Sequence, residues 1–488
     1  MIAKAWRVSQ SLLWGAIFLV LPVSSMPLVV RLVHSDTVAA PAGLFLLLFI
    51  LVWFVPYIFM GGRLPGVVRI FLAFCLAAVF ATFLSVFLEI PPFKGISISL
   101  NALNALLTLA VGIGFYLTTA TWVDEPGKLK FTFKLINWAG AAIVAWSALQ
   151  AIYWARDNRY PEWMKTVHDL YSVGPLFRQR VSGFALEPSW LAHQLNMLYL
   201  PYWLAATVKR HSVHRFRLLG LSFENVLLLA GAVILWLSLS RVGLLGFLGM
   251  LAFLLVWVNL RAIHWARANI MRRYEGRFTQ SKLAARVIMS SIVIVFLVGY
   301  LLLVLGVGYG LSQVDPRMRA LFEFDLSRPD AVIYYAERLT FASRLVYWQA
   351  GMGVFDDHPW FGVGLGNAGF YFPQTLPAYA WKLVEVRDLM YRSDVLLNIK
   401  SLWVRLLAET GIIGFSLFIG WLYHIARQAI LTWRQADKSL STLGLMGIFV
   451  LIGLLFEAFS IDSFGLPYIW VALGLVSSGG WIMLKSNS

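Results

Sequence analysis

Twelve long apolar blocks divide this 488-residue chain, and they constrain its fold more than any other feature. A helix that crosses a bilayer needs about 20 mostly apolar residues. Blocks of that size fall at residues 10–32, 42–61, 67–89, 100–122, 135–154, 186–208, 223–240, 242–260, 287–311, 406–426, 441–460 and 466–484. Only 13% of the chain is charged, where a soluble domain carries roughly a quarter. Aromatic residues reach 15%, as suits rings anchored at the two membrane interfaces. The one cysteine, Cys75, lies inside a block, which excludes an internal disulfide or a Cys-based metal site. The stretch after Met1–Arg7 is long enough to remain a helix and has no small-residue cleavage site, so no cleavable leader is expected. The predicted fold is an all-α polytopic membrane protein of about 12 spans with a large, partly helical outer loop. Four regions follow: helices one to five over 1–155, an outer loop and helices six to nine over 156–311, a large outer loop over 312–405, and helices ten to twelve over 406–488.

Twelve spans place both termini on one side. That side holds 22 of the 40 Lys and Arg residues and five of the 24 acids, which are Asp124, Glu125, Glu224, Glu275 and Asp437. Such an excess marks the cytoplasmic side. The net charge of +16 is thereby read as a topology signal, and the basic run from Arg261 to Arg286 as a contact for anionic headgroups. Nucleic-acid binding, which a pI near 9.9 could suggest, is set aside.

Two outer segments are long, 155–185 and 312–405. Loops beyond about 15 residues are usually functional or disordered, and the abundance of Trp, Tyr and Phe argues against disorder. Val332, Tyr335, Leu339, Val346 and Trp348 approximate one helical face, suited to a helix lying on the membrane surface. No internal repeat of the kind found in many transporters is evident.

Chemistry-bearing residues gather on the outer side. Arg180 precedes Glu187-Pro188-Ser189 at the entrance to the sixth span. Pro188 suits a first helical turn, which puts Glu187 at a helix N-terminus, either as a cap ion-paired with Arg180 or as a reactive carboxylate. Arg241 follows Ser238-Leu239-Ser240 where two spans meet. A charge held there is functional, paired, or snorkels to headgroups. Arg344 opens a block that runs through His358 to Gly362-Val-Gly364-Leu-Gly366-Asn367. The glycine spacing is not GxGxxG and no strand–helix unit surrounds it, so tight turns or close backbone approach replace a nucleotide loop. His358, beside Pro359, reads as structural or as substrate-binding. Ser401, Arg405 and Glu409 are spaced four apart, as on one helix face, and Lys400 precedes them. Arg405 and Glu409 either pair at the top of the tenth span or serve a substrate. Arg180, Arg241, Arg344, Lys400 and Arg405 are five cations on one side. Arginine suits phosphate, and no Asp-x-Asp motif or His cluster offers a metal. The residues themselves point to an anionic lipid headgroup such as a lipid pyrophosphate.

The stretches RVSGFALEPSWLA (180–192), LSRVGLLG (239–246), SRLVYWQAGMGVFDDHPWFGVGLGN (343–367) and LLAETGIIGF (406–415) resemble the O-antigen polymerase and ligase superfamily. The resemblance implies a GT-C-like membrane glycosyltransferase of the bacterial inner membrane, with cytoplasmic termini and a periplasmic active site. Its substrate would be an undecaprenyl-pyrophosphate-linked oligosaccharide, with membrane lipids around it and a chain-length regulator as a candidate partner; no cofactor is implied. It assigns the pyrophosphate to Arg180, Arg241 and Arg344. Ligases of the superfamily carry a His about nine residues before the Glu that here is Glu409. This chain has Lys400 and Ser401 there and no His between 359 and 423, which favours the polymerase branch, with Glu187 as the group that orients or deprotonates the acceptor hydroxyl. Catalytic roles are therefore expected for Glu187, Arg241 and Arg344, and substrate-binding roles for Arg180, Lys400, Arg405, Glu409 and His358. The alternatives are a ligase that moves finished glycan to lipid A core or protein, and a flippase or transporter.

Overall fold

The structure is a computed structural model that describes residues 2–33, 39–273, 282–314, 319 and 341–486. Among these the chain is helical almost throughout, and the one hairpin, Arg217–Leu218 against Leu221–Ser222, is two residues deep. Among the described residues eight helices are long and apolar enough to cross a membrane: Ala42–Phe59, Gly66–Phe87, Ile98–Trp122, Pro126–Asp157, Arg241–Trp265, Leu402–Trp433, Lys438–Glu457 and Pro467–Lys485. Shorter apolar helices cover Val8–Val20, Phe223–Leu237 and Leu297–Gly310. A further helical run joins Pro188–Gln194, a π turn at Leu195–Tyr199 and Leu200–Lys209. The chain is an all-α polytopic membrane protein.

The first expected span, 10–32, is not one helix. It stops at Val20 and restarts at Pro27. Pro22 cannot donate a helical N–H and Pro27 sits where that loss is harmless, at a first turn. The extended residues between are used: Ser24 and Ser25 are buried, and Ser25 bridges both Ala39 and Ser172.

The chain forms two compact units, residues 1–247 with 346–488, and residues 248–345. The first is held by an aromatic core. Phe71 packs on Tyr116 and Trp421, with ring centroids 4.4 and 4.6 Å away, and Trp470 stacks on Trp421. Gly112 permits the approach of Trp470, whose ring would lie 2.5 Å from an added Cβ. The rings also solve a polar problem inside hydrocarbon. Trp421 Nε1 donates to the Tyr116 hydroxyl at 3.0 Å, and that hydroxyl lies 3.0 Å from Ser477 Oγ. In the second unit Asn259 Nδ2 donates to the Tyr300 hydroxyl at 2.8 Å, beside an apolar cavity of about 150 Å³ lined by Leu248, Val256 and Leu303.

Of the surface face expected in the large outer segment, Val332, Tyr335 and Leu339 lie outside the described residues. Val346 is fully buried and Trp348 half-buried on helix Ala342–Asp357.

Tyr116→Phe removes one hydroxyl and leaves the buried Trp421 Nε1–H without its acceptor, while Ser477 Oγ keeps its bond to Leu473 O at 2.9 Å. It should cost about 1–3 kcal/mol, read as a lowered thermal unfolding midpoint in detergent.

Candidate functional site

The Arg180 block is a loop built by sockets rather than by regular structure. Gln150 Oε1 accepts from the backbone N–H groups of Ser182 and Gly183, at 3.2 and 2.9 Å. Ser24 Oγ accepts from Leu186 N at 2.9 Å. The carbonyl of Gly174 can only accept, so His168 Nε2–H donates to it at 2.8 Å and leaves Nδ1 to face the Tyr171 hydroxyl at 2.9 Å. Gly183 O lies 3.1 Å from the same hydroxyl and competes with Nδ1 for its one proton. Gly183 has φ +58°, and an added Cβ there would meet Ser147 and Leu191.

The loop so fixed delivers Arg180. Its Nε donates to Ser238 O at 2.9 Å, and Val181 N donates to Leu237 O at 3.2 Å. Leu237 ends one helix and Arg241 begins the next. The turn between them is tight, with Leu239 at φ +50° and Ser240 N bonded to Ser238 Oγ. Arg180 and Arg241, far apart in sequence, therefore share one turn, and both are half-buried. Arg344 is also half-buried, in the first turn of helix Ala342–Asp357, and belongs to the second unit.

Helix Pro188–Gln194 begins at the proline, with Glu187 at its N-cap. The Glu187 side chain does not cap the helix. It is exposed and accepts from Ser189 Oγ at 3.0 Å. Arg180 meets Ser238 O where the sequence suggested Glu187 as its ion partner.

The glycine-rich block answers a break in helix Leu402–Trp433. Gly411 adopts φ +63° and ψ −170°, which ruptures the helical ladder after Glu409-Thr410. An intact helix would bond Ile412 N–H to Ala408 O and Ile413 N–H to Glu409 O. Instead Ile412 N reaches Pro359 O at 2.8 Å and Ile413 N reaches Trp360 O at 3.3 Å. The two released carbonyls accept from Val363 N and Gly364 N, each at 3.0 Å. All four groups are satisfied, where a buried orphan costs about 1–3 kcal/mol. Gly362, Gly364 and Gly366 have φ of +67°, +83° and +81°. A Cβ on Gly362 would come within 2.5 Å of Ala408 O. Thr82 Oγ1 accepts from Leu365 N at 3.0 Å, and Asn101 Nδ2 donates to Gly366 O at 2.6 Å. The block is a backbone clamp, as close approach implied. His358 ends the preceding helix, accepts from Gly362 N through its carbonyl at 3.1 Å, and packs its ring on Tyr371.

Ser401 does not share a helix face with Arg405 and Glu409. Its φ of −151° and ψ of 122° are extended, and it stands at the N-cap. Arg405 and Glu409 do pair, Nε to Oε2 at 2.8 Å, and both are largely buried. Arg405 Nη1 also donates to Asp462 O at 2.7 Å. Lys400 pairs with Glu385 and lies over the Tyr347 ring at 4.9 Å, while its backbone N–H donates to Asp462 Oδ2 at 3.0 Å. Lys400, Arg405 and Glu409 thus form a framework around Asp462.

Asp462 was not legible in the sequence as a site residue. Neither was the importance of a second buried group: Glu457, Asn196 and His193. Asn196 Nδ2 donates to Glu457 Oε1 and to Gly243 O, both at 2.6 Å, and His193 Nδ1 lies 3.3 Å from Glu457 Oε2. The available signal was a charge, Glu457, inside an apolar block. Among the described residues no three His, Cys, Asp or Glu side chains are grouped to hold a metal ion.

A family model described as O-antigen ligase matches residues 226–419. The matched region spans the blocks at 239–246, 343–367 and 406–415, and this similarity is consistent with the polymerase and ligase superfamily. The match supports an enzyme of that general type in a multi-pass membrane protein. No curated protein matches the chain.

Two outcomes test this geometry. Gly411→Ala puts a Cβ against the Trp360 carbonyl and forces a left-handed alanine. It should destabilise by about 2 kcal/mol or more, seen as a lower melting midpoint. Burial holds the His168 imidazole below its usual pKa of 6.5, against the raising effects of the Gly174 carbonyl and Asp169. Neutral His168 is then the folded form, so its contribution is complete above pH 6.5 and is lost as pH falls below that value. Wild type should lose thermal stability on acidification through that range, and His168→Gln should show a shallower loss.

Proposed function

We propose that the protein is a metal-independent polysaccharide polymerase. It transfers an undecaprenyl-pyrophosphate-linked glycan onto the acceptor sugar of a lipid-linked repeat unit, at the periplasmic face of the bacterial inner membrane with both termini cytoplasmic. In the reaction the anomeric carbon–oxygen bond to the pyrophosphate breaks and a bond to the acceptor oxygen forms. The pyrophosphate leaves as an anion, and the acceptor proton passes to the exposed Glu187 carboxylate. The leaving group is already good, so cations aimed at its developing charge do most of the work.

The observation that carries this reading is the Arg180 Nε–Ser238 O bond of 2.9 Å, which brings two arginines of separate blocks to one turn. Two arginines at one turn suit the paired phosphates of a pyrophosphate. Arg344 is the third arginine the resemblance assigns to this chemistry. The position of the superfamily's ligase His supports the polymerase branch, because Lys400 is there engaged with Glu385 and Ser401 is fully buried.

The ligase reading is favoured by one observation, the description of the matching family model. Purified protein given only a lipid-linked repeat unit separates the two. A ladder of longer products is expected, and nothing beyond one unit would overturn the polymerase. Arg241→Ala and Arg344→Ala should each lower elongation on the order of 10²-fold or more in folded, inserted protein. Normal chain lengths in both would remove the pyrophosphate clamp.

A further inference from the structure

Arg241 is the first residue of helix Arg241–Arg273, and one turn behind it a buried polar cluster grips that helix. Asn196, Glu457 and His193 are at most 1% exposed. Groups this polar are costly to bury among apolar helices unless they are hydrogen-bonded. The Asn196 amide nitrogen reaches Gly243 O and Glu457 Oε1 at 2.6 Å each, so one side chain ties the start of the Arg241 helix to the end of helix Lys438–Glu457. Two glycines make the approach possible. A Cβ on Gly243 would lie 2.6 Å from Ala192, and a Cβ on Gly246 would lie 3.1 Å from Asn196 Nδ2 and 3.6 Å from Glu457 Oε1. Asn196 itself lies in the π turn Leu195–Tyr199, a helical insertion frequent at functional sites. Glu457 is steadied in turn through its backbone, whose carbonyl accepts from Ser460 N and Ile461 N at 2.8 and 3.1 Å, while His193 Nδ1 lies 3.3 Å from its second side-chain oxygen without a hydrogen bond.

We propose that Asn196 and Glu457 are positioning residues that hold the Arg241 turn in register for the transfer reaction. This rests on the reading of Arg241 as a pyrophosphate ligand. The turn has two anchors on opposite sides of Arg241 in sequence. Arg180 binds the carbonyl of Ser238, and Asn196 binds the carbonyl of Gly243. Removing the second anchor frees the helix start to shift while leaving the arginine present. A displacement of about 1 Å at a positioned group can cost about 10²-fold in rate. The loss falls on turnover rather than on donor affinity, because the charge of Arg241 remains.

The test is a double-mutant cycle on elongation of a lipid-linked repeat unit by full-length protein in detergent, with melting midpoints recorded for every variant. Asn196→Ala should lower kcat at least tenfold with less than threefold change in KM for the lipid-linked donor. Glu457→Ala should match it. Glu457→Gln keeps an accepting oxygen for Asn196 and should recover most of the loss. In an Arg241→Lys background, which is itself expected to be slow, Asn196→Ala should cost less than a further twofold, because the residue acts only through Arg241. Equal fold-losses in both backgrounds, or Glu457→Gln as damaging as Glu457→Ala, would overturn the proposal while leaving the clamp intact. Wild-type turnover in Arg241→Lys and Arg241→Ala would overturn the clamp and this inference together. Should Asn196→Ala not accumulate as folded protein, Glu457→Ala carries the same cycle.

Discussion

Within a bilayer a backbone N–H or C=O with no partner has no water to turn to, and a helix that breaks there must find substitutes for every bond it gives up. This chain breaks its helices at several places, and three of the breaks are closed by segments from elsewhere in the chain. The rupture at Gly411 is closed by the 359–364 segment, donor for acceptor. The gap between Val20 and Pro27 is closed against Ala39 and Ser172. The turn at Leu239 is closed by Arg180 and Val181 from a loop some sixty residues earlier. Irregular backbone of this kind is tolerated in membrane proteins where protein surrounds it, and it is where binding and catalytic groups concentrate.

The chemistry follows from that arrangement. An arginine at a helix start is costly in an apolar setting, so its place has to be enforced from more than one direction. The Ser238 and Gly243 carbonyls are the two handles by which the Arg241 turn is held. Around Asp462 a separate framework of Lys400, Arg405 and Glu409 braces the top of the 402–433 helix, next to the Gly411 break. The loop from Glu457 to Asp462 belongs to both clusters, since Glu457 binds Asn196 and Asp462 binds Arg405.

The fold class was legible from hydropathy alone, because apolar blocks of bilayer length leave few alternatives. Helix ends at Pro188 and near Arg241 were also legible, one from proline placement and the other from a charge between two apolar runs. Breaks inside blocks were not. Pro22 and Gly411 each look like a residue a membrane helix tolerates, and only the long-range partners Ser172 and Trp360 show that the ladder is cut. Ser401 illustrates the same limit: a spacing of four put it on a face with Arg405, but the helix begins one residue later. Spacing reports what a helix would do, not where it starts. The Asn196–Gly243 tie was invisible because an asparagine in an apolar block has no local signature of its partner.

A lipid pyrophosphate held at the Arg241 turn is the central proposal. The most direct measurement is a structure of the protein with an undecaprenyl-pyrophosphate-linked repeat unit bound. The two phosphates should lie within hydrogen-bond distance of the guanidinium groups of Arg180 and Arg241, with the sugar directed toward Glu187. Pyrophosphate bound away from that turn, with both arginines engaged only by protein, would contradict it.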